Sequence, residues 1–270
     1  MLRMSTNRID ATFAKLHAAQ RAGFIAYLCG GDPTLAVTRD LVIAFEKAGV
    51  DLVEIGVPFS DPLADGVVNQ LASARALAAG ASVPGVLQCV REIRERAQLP
   101  IVLYTYMNPV YRYGFDRFLA DAEAAGVDGI LFLDLPPDED AASPELQMHG
   151  PLKRIRLIAP TTPDSRIALL ANGAGGFLYY VSRTGVTGAT AEIATDLAEQ
   201  VAAIKKHTIL PVAVGFGIST PDHVRTVAQS ADAVIVGSAI VKQIAAHGSD
   251  PAIVEKVTAF VSTLTAALRS

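Results

Sequence analysis

Two acidic residues, Glu54 and Asp65, are the strongest candidates for chemistry in this sequence. They lie in the stretch 54–66, where an apolar run ends in a glutamate and a Gly- and Pro-rich loop follows that holds Asp61 and Asp65. An α/β protein presents charged groups in this way at the rim of its sheet. A Glu at the end of an otherwise apolar strand is costly without a functional reason, whereas Asp65 before Gly66 also fits an ordinary turn. The two acids are therefore a candidate acid–base pair whose separate roles the residues alone do not assign.

Glycine-rich segments in the second half of the chain are candidates for binding a phosphate group. They are residues 214–219, residues 236–239 and the loop 182–188, which contains Arg183. Glycines let the backbone approach an anion closely, and Ser238 adds a hydroxyl donor. One such loop alone is weak support, because glycines after strands also make tight turns. Three of them at neighbouring strand ends predict a phosphate site.

Short runs of apolar and β-branched residues must position these groups, and they predict eight strands. The strands are residues 24–28, 52–55, 101–104, 129–133, 155–159, 177–181, 212–214 and 233–236. Most runs are continuously apolar, as expected for parallel strands buried on both faces. Amphipathic helical patterns separate them, and Gly49 and Gly126 precede a Val-Asp pair at two helix-to-strand joints, where glycine can end a helix.

Eight repeated β-then-α units predict an α/β fold, a single (β/α)8 TIM barrel over residues 1–270, with a doubly wound open sheet as the alternative. Residues 9–22 predict an extra N-terminal helix that closes the bottom of the barrel. Residues 71–96 are long enough for two helical pieces split at Pro84. Because catalytic groups of such barrels lie at the C-terminal ends of strands, we expect the groups at these ends to face one mouth. These groups are Glu54, Asp134, Tyr179, Gly215 to Gly217, and Gly237 with Ser238.

Composition excludes several classes of function. The net charge of −4 is spread along the chain, so a nucleic acid partner is not expected. No segment has the apolar length of a signal peptide or a membrane helix, so we expect a soluble, cytoplasmic protein. Cys29 and Cys89 have no paired spacing and are expected to be reduced thiols, and the five histidines are scattered, so no metal site is predicted.

The motifs together resemble the alpha subunits of tryptophan synthase, and the resemblance covers nearly the whole chain. The segment 53–66, its continuation at residues 74–77 and the segment 179–188 carry most of it. Further matching segments follow in the family's order: residues 30–33, 108–109, 134–137, 159–162 and 214–218. The resemblance implies a lyase of L-tryptophan biosynthesis that cleaves indole-3-glycerol phosphate to indole and glyceraldehyde 3-phosphate.

The resemblance also implies roles for individual residues. Glu54 would protonate C3 of the indole ring, and Asp65 would accept a hydrogen bond from the indole N–H and stabilise the transient cation. An apolar setting suits Glu54, because a carboxylic acid in water has a pKa near 4.3 and is a poor proton donor at neutral pH. The predicted substrate-binding residues are Tyr27, Tyr106, Tyr179, Thr187, Gly188, Phe216, Gly217, Ile235, Gly237 and Ser238.

One departure from the family pattern concerns the loop that holds Asp65. The family usually has a proline after the Asp-Gly pair, and this chain has Val67. Because proline restricts the backbone, we expect this loop to be more flexible here.

The resemblance further implies a pyridoxal-phosphate-dependent beta subunit as partner in an αββα assembly, and no cofactor for this chain. The predicted interface residues are Pro58, Asp61, Asn108 and Pro109, although Asn-Pro also marks an ordinary turn. Two other functions stay open at this point. One is a stand-alone indole-3-glycerol phosphate lyase, and the other is a regulatory alpha-type subunit that binds the phosphate ligand without cleaving it.

Overall fold

Eight parallel strands close into a barrel in the order in which they occur along the chain. A computed structural model describes residues 7–182, 190–215 and 217–269. The predicted (β/α)8 barrel is confirmed, and the open sheet is wrong, because the first strand pairs with both the second and the eighth. The strands are β1 (Gly23–Cys29), β2 (Leu52–Gly56), β3 (Ile101–Thr105), β4 (Gly129–Phe132), β5 (Lys153–Ile158), β6 (Leu178–Val181), β7 (Val212–Gly215) and β8 (Ala233–Val236).

Helices surround the barrel, and a short 3-10 helix (Pro144–Leu146) precedes β5. Within the described ranges, no helix is long and apolar enough to cross a membrane. The α-helices are α1 (Arg8–Ala18), α2 (Leu35–Lys47), α3 (Val67–Ala78), α4 (Val83–Arg94), α5 (Met107–Tyr113), α6 (Phe115–Ala125), α7 (Pro137–Ala142), α8 (Asp164–Asn172), α9 (Thr190–Lys205), α10 (Pro221–Ala228), α11 (Ser238–Ala246) and α12 (Ile253–Ala266).

Two helix boundaries differ from the sequence-based expectation. The N-terminal helix α1 ends at Ala18 rather than at residue 22. The expected pair of helices is present as α3 and α4, but the break precedes Pro84, which lies in the first turn of α4. Proline is tolerated there because an N–H in the first turn has no partner within the helix. The hydroxyl of Ser82 accepts a hydrogen bond from Gly85 N and caps α4, so the chain stops and restarts before the proline.

The barrel interior is a packed core that α1 closes at the bottom. Ile9, Phe13 and Leu16 of α1 lie against inward-facing side chains of the strands, and the rings of Phe13 and Phe177 are 5.7 Å apart. A second and larger core lies between the strands and the outer helices. Burial on both faces explains why the strand sequences are continuously apolar.

An aspartate precedes each of the strands β2, β4 and β8 and holds the start of that strand to the preceding strand. In each case the aspartate side chain accepts a hydrogen bond from the backbone N–H of one residue at the start of the preceding strand. The N–H of the aspartate donates to the carbonyl of that same residue. The pairs are Asp51 with Phe24, Asp128 with Ile101 and Asp232 with Val212, with side-chain bonds of 2.8, 2.9 and 2.8 Å. A cation completes each site: Arg21 for Asp51, Arg94 for Asp128 and Lys205 for Asp232. The Asp residues that the sequence repeats before strands thus hold neighbouring strands in register.

Candidate active site

Glu54 lies at an inward-facing position of β2 and is completely buried. Its register partner on β1 is Tyr27, and its partner on β3 is Val102. Among the described residues, neither carboxylate oxygen has a hydrogen-bond partner and no cation pairs with it. Burial therefore raises the pKa of Glu54 to about 8. At neutral pH this side chain is a neutral acid that holds a transferable proton.

Three tyrosines of the barrel interior surround this acid. Tyr27 of β1, Tyr104 of β3 and Tyr179 of β6 each interact electrostatically with Glu54, and the Tyr27 and Tyr104 rings meet edge to face at 4.9 Å. Burial raises the pKa of all three hydroxyls, and a negative charge on Glu54 raises it further. The rings supply bulk and exclude water without supplying a positive charge. They therefore favour the protonated form of the acid.

Glycines at inward-facing positions make room for these rings. A methyl group at Gly56 would lie 2.6 Å from Oη of Tyr27, and one at Gly215 would lie 2.7 Å from Oη of Tyr179. Both separations are shorter than van der Waals contact. The sequence suggested Gly215 as part of an anion-binding loop. In the structure, its lack of a side chain leaves space for the ring of Tyr179.

Side-chain hydrogen bonds hold Asp65 at the mouth of the barrel. Oδ2 accepts from the Tyr106 hydroxyl at 2.8 Å, and Oδ1 accepts from the Tyr104 hydroxyl at 3.1 Å and from Asn69 Nδ2 at 3.4 Å. The Tyr106 hydroxyl also accepts from Ala64 N at 3.0 Å. The loop that lacks the usual proline is thus tied to β3 and to the residue after it by tyrosine side chains.

Burial and hydrogen bonding act in opposite directions on the charge of Asp65. Burial raises its pKa, and the donors Tyr106, Asn69 and Tyr104 lower it. The net direction is upward. Because hydrogen bonds to a carboxylate stabilise its ionised form, the three donors are what oppose protonation of this acid.

A cavity of about 480 Å³ opens at the C-terminal ends of the strands, beside both acids. Seven of the sequence-predicted site residues line it: Tyr27, Asp65, Tyr179, Gly217, Ile235, Gly237 and Ser238. Glu54 is covered by the lining tyrosines, and Tyr106 holds Asp65 without lining the cavity. The predictions for Arg183, Thr187, Gly188 and Phe216 lie outside the described residues.

One part of the cavity lining is suited to an anion. Helix α11 begins at Ser238, its N-cap residue is Gly237, and no side chain caps it. The first N–H groups of a helix have no partner within the helix, and the helix dipole makes this end positive. Gly217 adds backbone in the left-handed region at a φ of 71°, where glycine is favoured. A phosphate bound there would lie in the same cavity as Asp65.

Two residues at this site escaped the sequence analysis. Tyr104 and Asn69 both bind Asp65 and both line the cavity. Tyr104 faces the barrel interior, where it pairs with Gly56 of β2 and Leu131 of β4, and in the sequence it is one more residue of an apolar run. Asn69 lies in the first turn of α3 whereas Asp65 precedes that helix, so no helical spacing links the two in the sequence.

The other predicted positions have mixed surroundings. Asp134 accepts a hydrogen bond from Met107 N at 2.8 Å and so holds the start of α5. Asp61 and Asn108 are exposed, Pro109 is partly exposed, and Pro58 is buried inside its loop. Pro58 therefore offers little surface in the isolated chain.

Cys29 and Cys89 are free and buried, and burial raises the pKa of both thiols. Within the described ranges, no group of three or more His, Cys, Asp or Glu side chains could hold a metal ion.

Known proteins resemble the chain along most of its length. A family model described as Tryptophan synthase alpha chain matches residues 13–269. The tryptophan synthase alpha chain of Opitutus terrae is 50% identical over 262 residues, which cover 96% of this chain and 98% of that protein. The alpha chain of Geobacter sulfurreducens is 50% identical over 236 residues, which cover 87% and 89%.

Solved structures agree in fold. Tryptophan synthase subunit alpha from Legionella pneumophila has a TM-score of 0.88 at 37% identity, with 98% of this chain and 99% of that chain covered. A chain of Mycobacterium tuberculosis tryptophan synthase has a TM-score of 0.85 at 36% identity, with 98% and 100% covered.

Proposed function

The chain belongs to the tryptophan synthase alpha chain family, and we propose that Glu54 and Asp65 carry out its reaction. The protein is a lyase of tryptophan biosynthesis that cleaves indole-3-glycerol phosphate to indole and glyceraldehyde 3-phosphate. The observation that carries the assignment of residues is the buried Glu54, whose pKa of about 8 leaves it protonated at neutral pH beside the cavity.

Glu54 acts first as the general acid. Breaking the bond between C3 of the indole ring and the glycerol side chain would leave a carbanion on C3 unless the ring is protonated there. Glu54 delivers that proton. Its conjugate base then takes the proton from the side-chain hydroxyl on the adjacent carbon while that carbon becomes the aldehyde and the bond electrons return to the ring. One proton is given and one taken, so Glu54 ends the cycle protonated.

Asp65 stabilises the intermediate between these steps. Protonation at C3 places positive charge on the ring nitrogen, and an ionised carboxylate that accepts the N–H hydrogen bond lowers the energy of that cation. The hydrogen bonds from Tyr104, Tyr106 and Asn69 support this role, since they favour the ionised form.

The two ends of the cavity suit the two ends of the substrate. Tyr27, Tyr179 and Ile235 form walls against which the indole ring packs, and Gly217, Gly237 and Ser238 offer the phosphate a helix N-terminus. Thr187, Gly188 and Phe216 are assigned to the substrate by the family resemblance. Because the carboxyl of Glu54 is fully covered, it reaches the ring only after its side chain or a neighbouring tyrosine turns.

As an alpha chain of tryptophan synthase, the protein has a beta subunit as its partner, and we propose a pyridoxal-phosphate-dependent subunit in a cytoplasmic αββα assembly. The exposed residues Asp61 and Asn108, together with Pro109, lie on segments that follow β2 and β3. Large apolar side chains are exposed on the same segments: Leu63 at 91%, Val67 at 68%, Leu71 at 56% and Tyr111 at 75%. Apolar exposure of this kind suits a protein interface. Pro58 would shape this surface from inside, and residues 1–270 would form one catalytic domain.

The experiment that tests the catalytic assignment is an assay of indole release from indole-3-glycerol phosphate, with and without a beta subunit. We expect the wild type to release indole and Glu54→Gln to release it at least about a hundredfold more slowly while still binding the substrate. Glu255→Gln, on the exposed face of α12, is the matched control and should match the wild type.

Two results would contradict the assignment. Wild-type protein that binds the ligand but yields no indole in either assay would establish a regulatory subunit. Full activity of Glu54→Gln would move the proton donor to another residue.

A further inference from the structure

The carboxylate of Asp65 has more hydrogen-bond donors than its proposed part in catalysis requires. The hydroxyl of Tyr106, the residue after β3, donates to Oδ2. Tyr104 and Asn69 both donate to the other oxygen, Oδ1, from two different elements, β3 and α3. Oδ1 is therefore fixed from two sides, by a strand and by a helix.

Tyr104 is held in place independently of Asp65. Its ring packs edge to face against Tyr27 at 4.9 Å, and its register partner on β2 is Gly56, which has no side chain. The backbone of β3 is paired on both sides within the barrel. The hydroxyl of Tyr104 is consequently a donor whose position the barrel fixes before any substrate arrives.

Asn69 adds a donor from the helix that follows the loop. Its Nδ2 faces Asp65 Oδ1 at 3.4 Å, and this carboxylate acceptor fixes which end of the amide is the nitrogen. Its Oδ1 is buried with no hydrogen-bond partner among the described residues. The amide thus keeps one buried acceptor unpaired while its nitrogen faces Asp65, which indicates that the contact to Asp65 determines its orientation.

We propose that Tyr104 and Asn69 are positioning residues that hold the Asp65 carboxylate in one orientation and keep it ionised for the indole N–H. This proposal rests on the proposed role of Asp65. The two residues act through Asp65.

Other ionisable groups around Asp65 do not replace these donors. Among the described residues, the titratable side chains that interact with it from the surrounding elements are uncharged thiol or phenol groups at neutral pH, namely Tyr27, Cys29, Tyr104, Tyr106 and Tyr179. Glu54 adds an acid beside the same tyrosines. Arg75 of α3 interacts with Cys29, and Asp32 binds its guanidinium with two hydrogen bonds of 2.8 and 2.7 Å.

The test is the pH dependence of kcat/KM, which reports ionisation in the free enzyme. On the acid side, kcat/KM rises as Asp65 loses its proton. Removing a hydrogen bond to the carboxylate raises its pKa, so Tyr104→Phe should move this rise to higher pH by about one unit. Asn69→Ala should move it in the same direction by less, because its contact is longer.

A matched control and a background variant separate positioning from general damage. Tyr180→Phe is the control. Tyr180 follows Tyr179 on β6, and its side chain belongs to the core between the strands and the outer helices, so loss of its hydroxyl should leave the acid side of the kcat/KM profile unchanged. In an Asp65→Asn background, Tyr104→Phe should no longer shift the profile. Melting temperatures of all variants identify any that fail to fold. If Tyr104→Phe does not fold, the pH profile of Asn69→Ala tests the proposal.

The outcomes distinguish the two proposals. If Asp65→Asn is slow but Tyr104→Phe and Asn69→Ala both keep the wild-type profile, the positioning role is overturned and the role of Asp65 stands. If Asp65→Asn is as fast as the wild type, the proposed role of Asp65 fails, and the positioning role fails with it.

Discussion

The phenol of Tyr27 fills the space in which a side chain at Gly56 would lie. A Cβ at Gly56 would be 2.6 Å from Oη and 3.1 Å from Cζ of Tyr27. The two residues belong to adjacent strands, β1 and β2, and both face the barrel interior. Gly56 also follows Glu54 by two positions, so the next inward-facing site along the strand is left open for the ring that covers the acid.

Gly56→Ala should therefore destabilise the protein and lower kcat/KM. Overpacking of this kind typically reduces the free energy of unfolding by about 1–3 kcal/mol. Tyr27→Phe removes the closest atom, so the double variant should be more stable in urea than Gly56→Ala alone. Gly66→Ala is the stability control, because a methyl group there meets no atom within 4 Å. Strictly additive effects of the two changes would contradict the contact.

The rate should fall at alkaline pH because Glu54 must carry a proton. With its pKa raised to about 8, Glu54 is protonated at neutral pH and loses its proton as the pH rises through that value. We expect kcat/KM to decline above about pH 8, approaching tenfold per pH unit. A profile of kcat/KM that stays flat well above that pH would exclude Glu54 as the acid with this ionisation.

Glu54→Gln should remove a pH dependence of stability as well as activity. The pKa of Glu54 rises from 4.5 to about 8 on folding, so between these values the folded protein holds a proton that the unfolded chain does not. The free energy of unfolding then decreases as the pH rises, by about 1.4 kcal/mol per unit in this interval. Urea unfolding from about pH 5 to 8 should show the Glu54→Gln variant gaining steadily on the wild type. Parallel curves for the two proteins would contradict a buried, protonated Glu54.

Asp128→Ala should be among the most destabilising substitutions at the base of the barrel. Asp128 is 3% exposed and binds Arg94 at 2.7 Å, Arg8 at 3.0 Å and the N–H of Ile101 at 2.9 Å. Its removal leaves the guanidinium of Arg94, itself 10% exposed, without its partner, and such losses cost about 3–5 kcal/mol.

A surface ion pair provides the control for that substitution. Glu92 binds Arg39 at 3.1 Å and is 38% exposed, so Glu92→Ala should cost less than about 1 kcal/mol. Equal losses of unfolding free energy for Asp128→Ala and Glu92→Ala would show that burial does not set the strength of these pairs.

The strands and the two acids could be predicted from the sequence, because both leave local patterns. Continuously apolar runs indicated all eight strands to within about two residues, and an acid at the end of such a run marked Glu54. Tyr104 and Asn69 left no such pattern. Tyr104 reads as one more residue of an apolar strand, and its contact with Asp65 joins positions 39 residues apart. The parallel pairing of β2 with β3 brings them together.

The burial of Pro58 could not be predicted from the sequence, for a related reason. The family motif marks Pro58 and Asp61 equally, but the exposed fraction of each side chain depends on how the loop folds back on itself. The hydroxyl of Ser73 donates to Phe59 O at 2.8 Å and accepts from Phe59 N at 2.7 Å, which draws the start of the loop toward α3. Asp61 stays outside that contact and is exposed.

The carboxylates of this barrel are divided between its two ends. At the base, Asp51, Asp128 and Asp232 each have a cation and a strand N–H, while within the described ranges Glu54 and Asp65 have no cation. Substitutions far apart usually contribute independently to stability. New activities can therefore evolve at the mouth of this barrel by exchange of acids and loop residues, while the base continues to keep the strands in register.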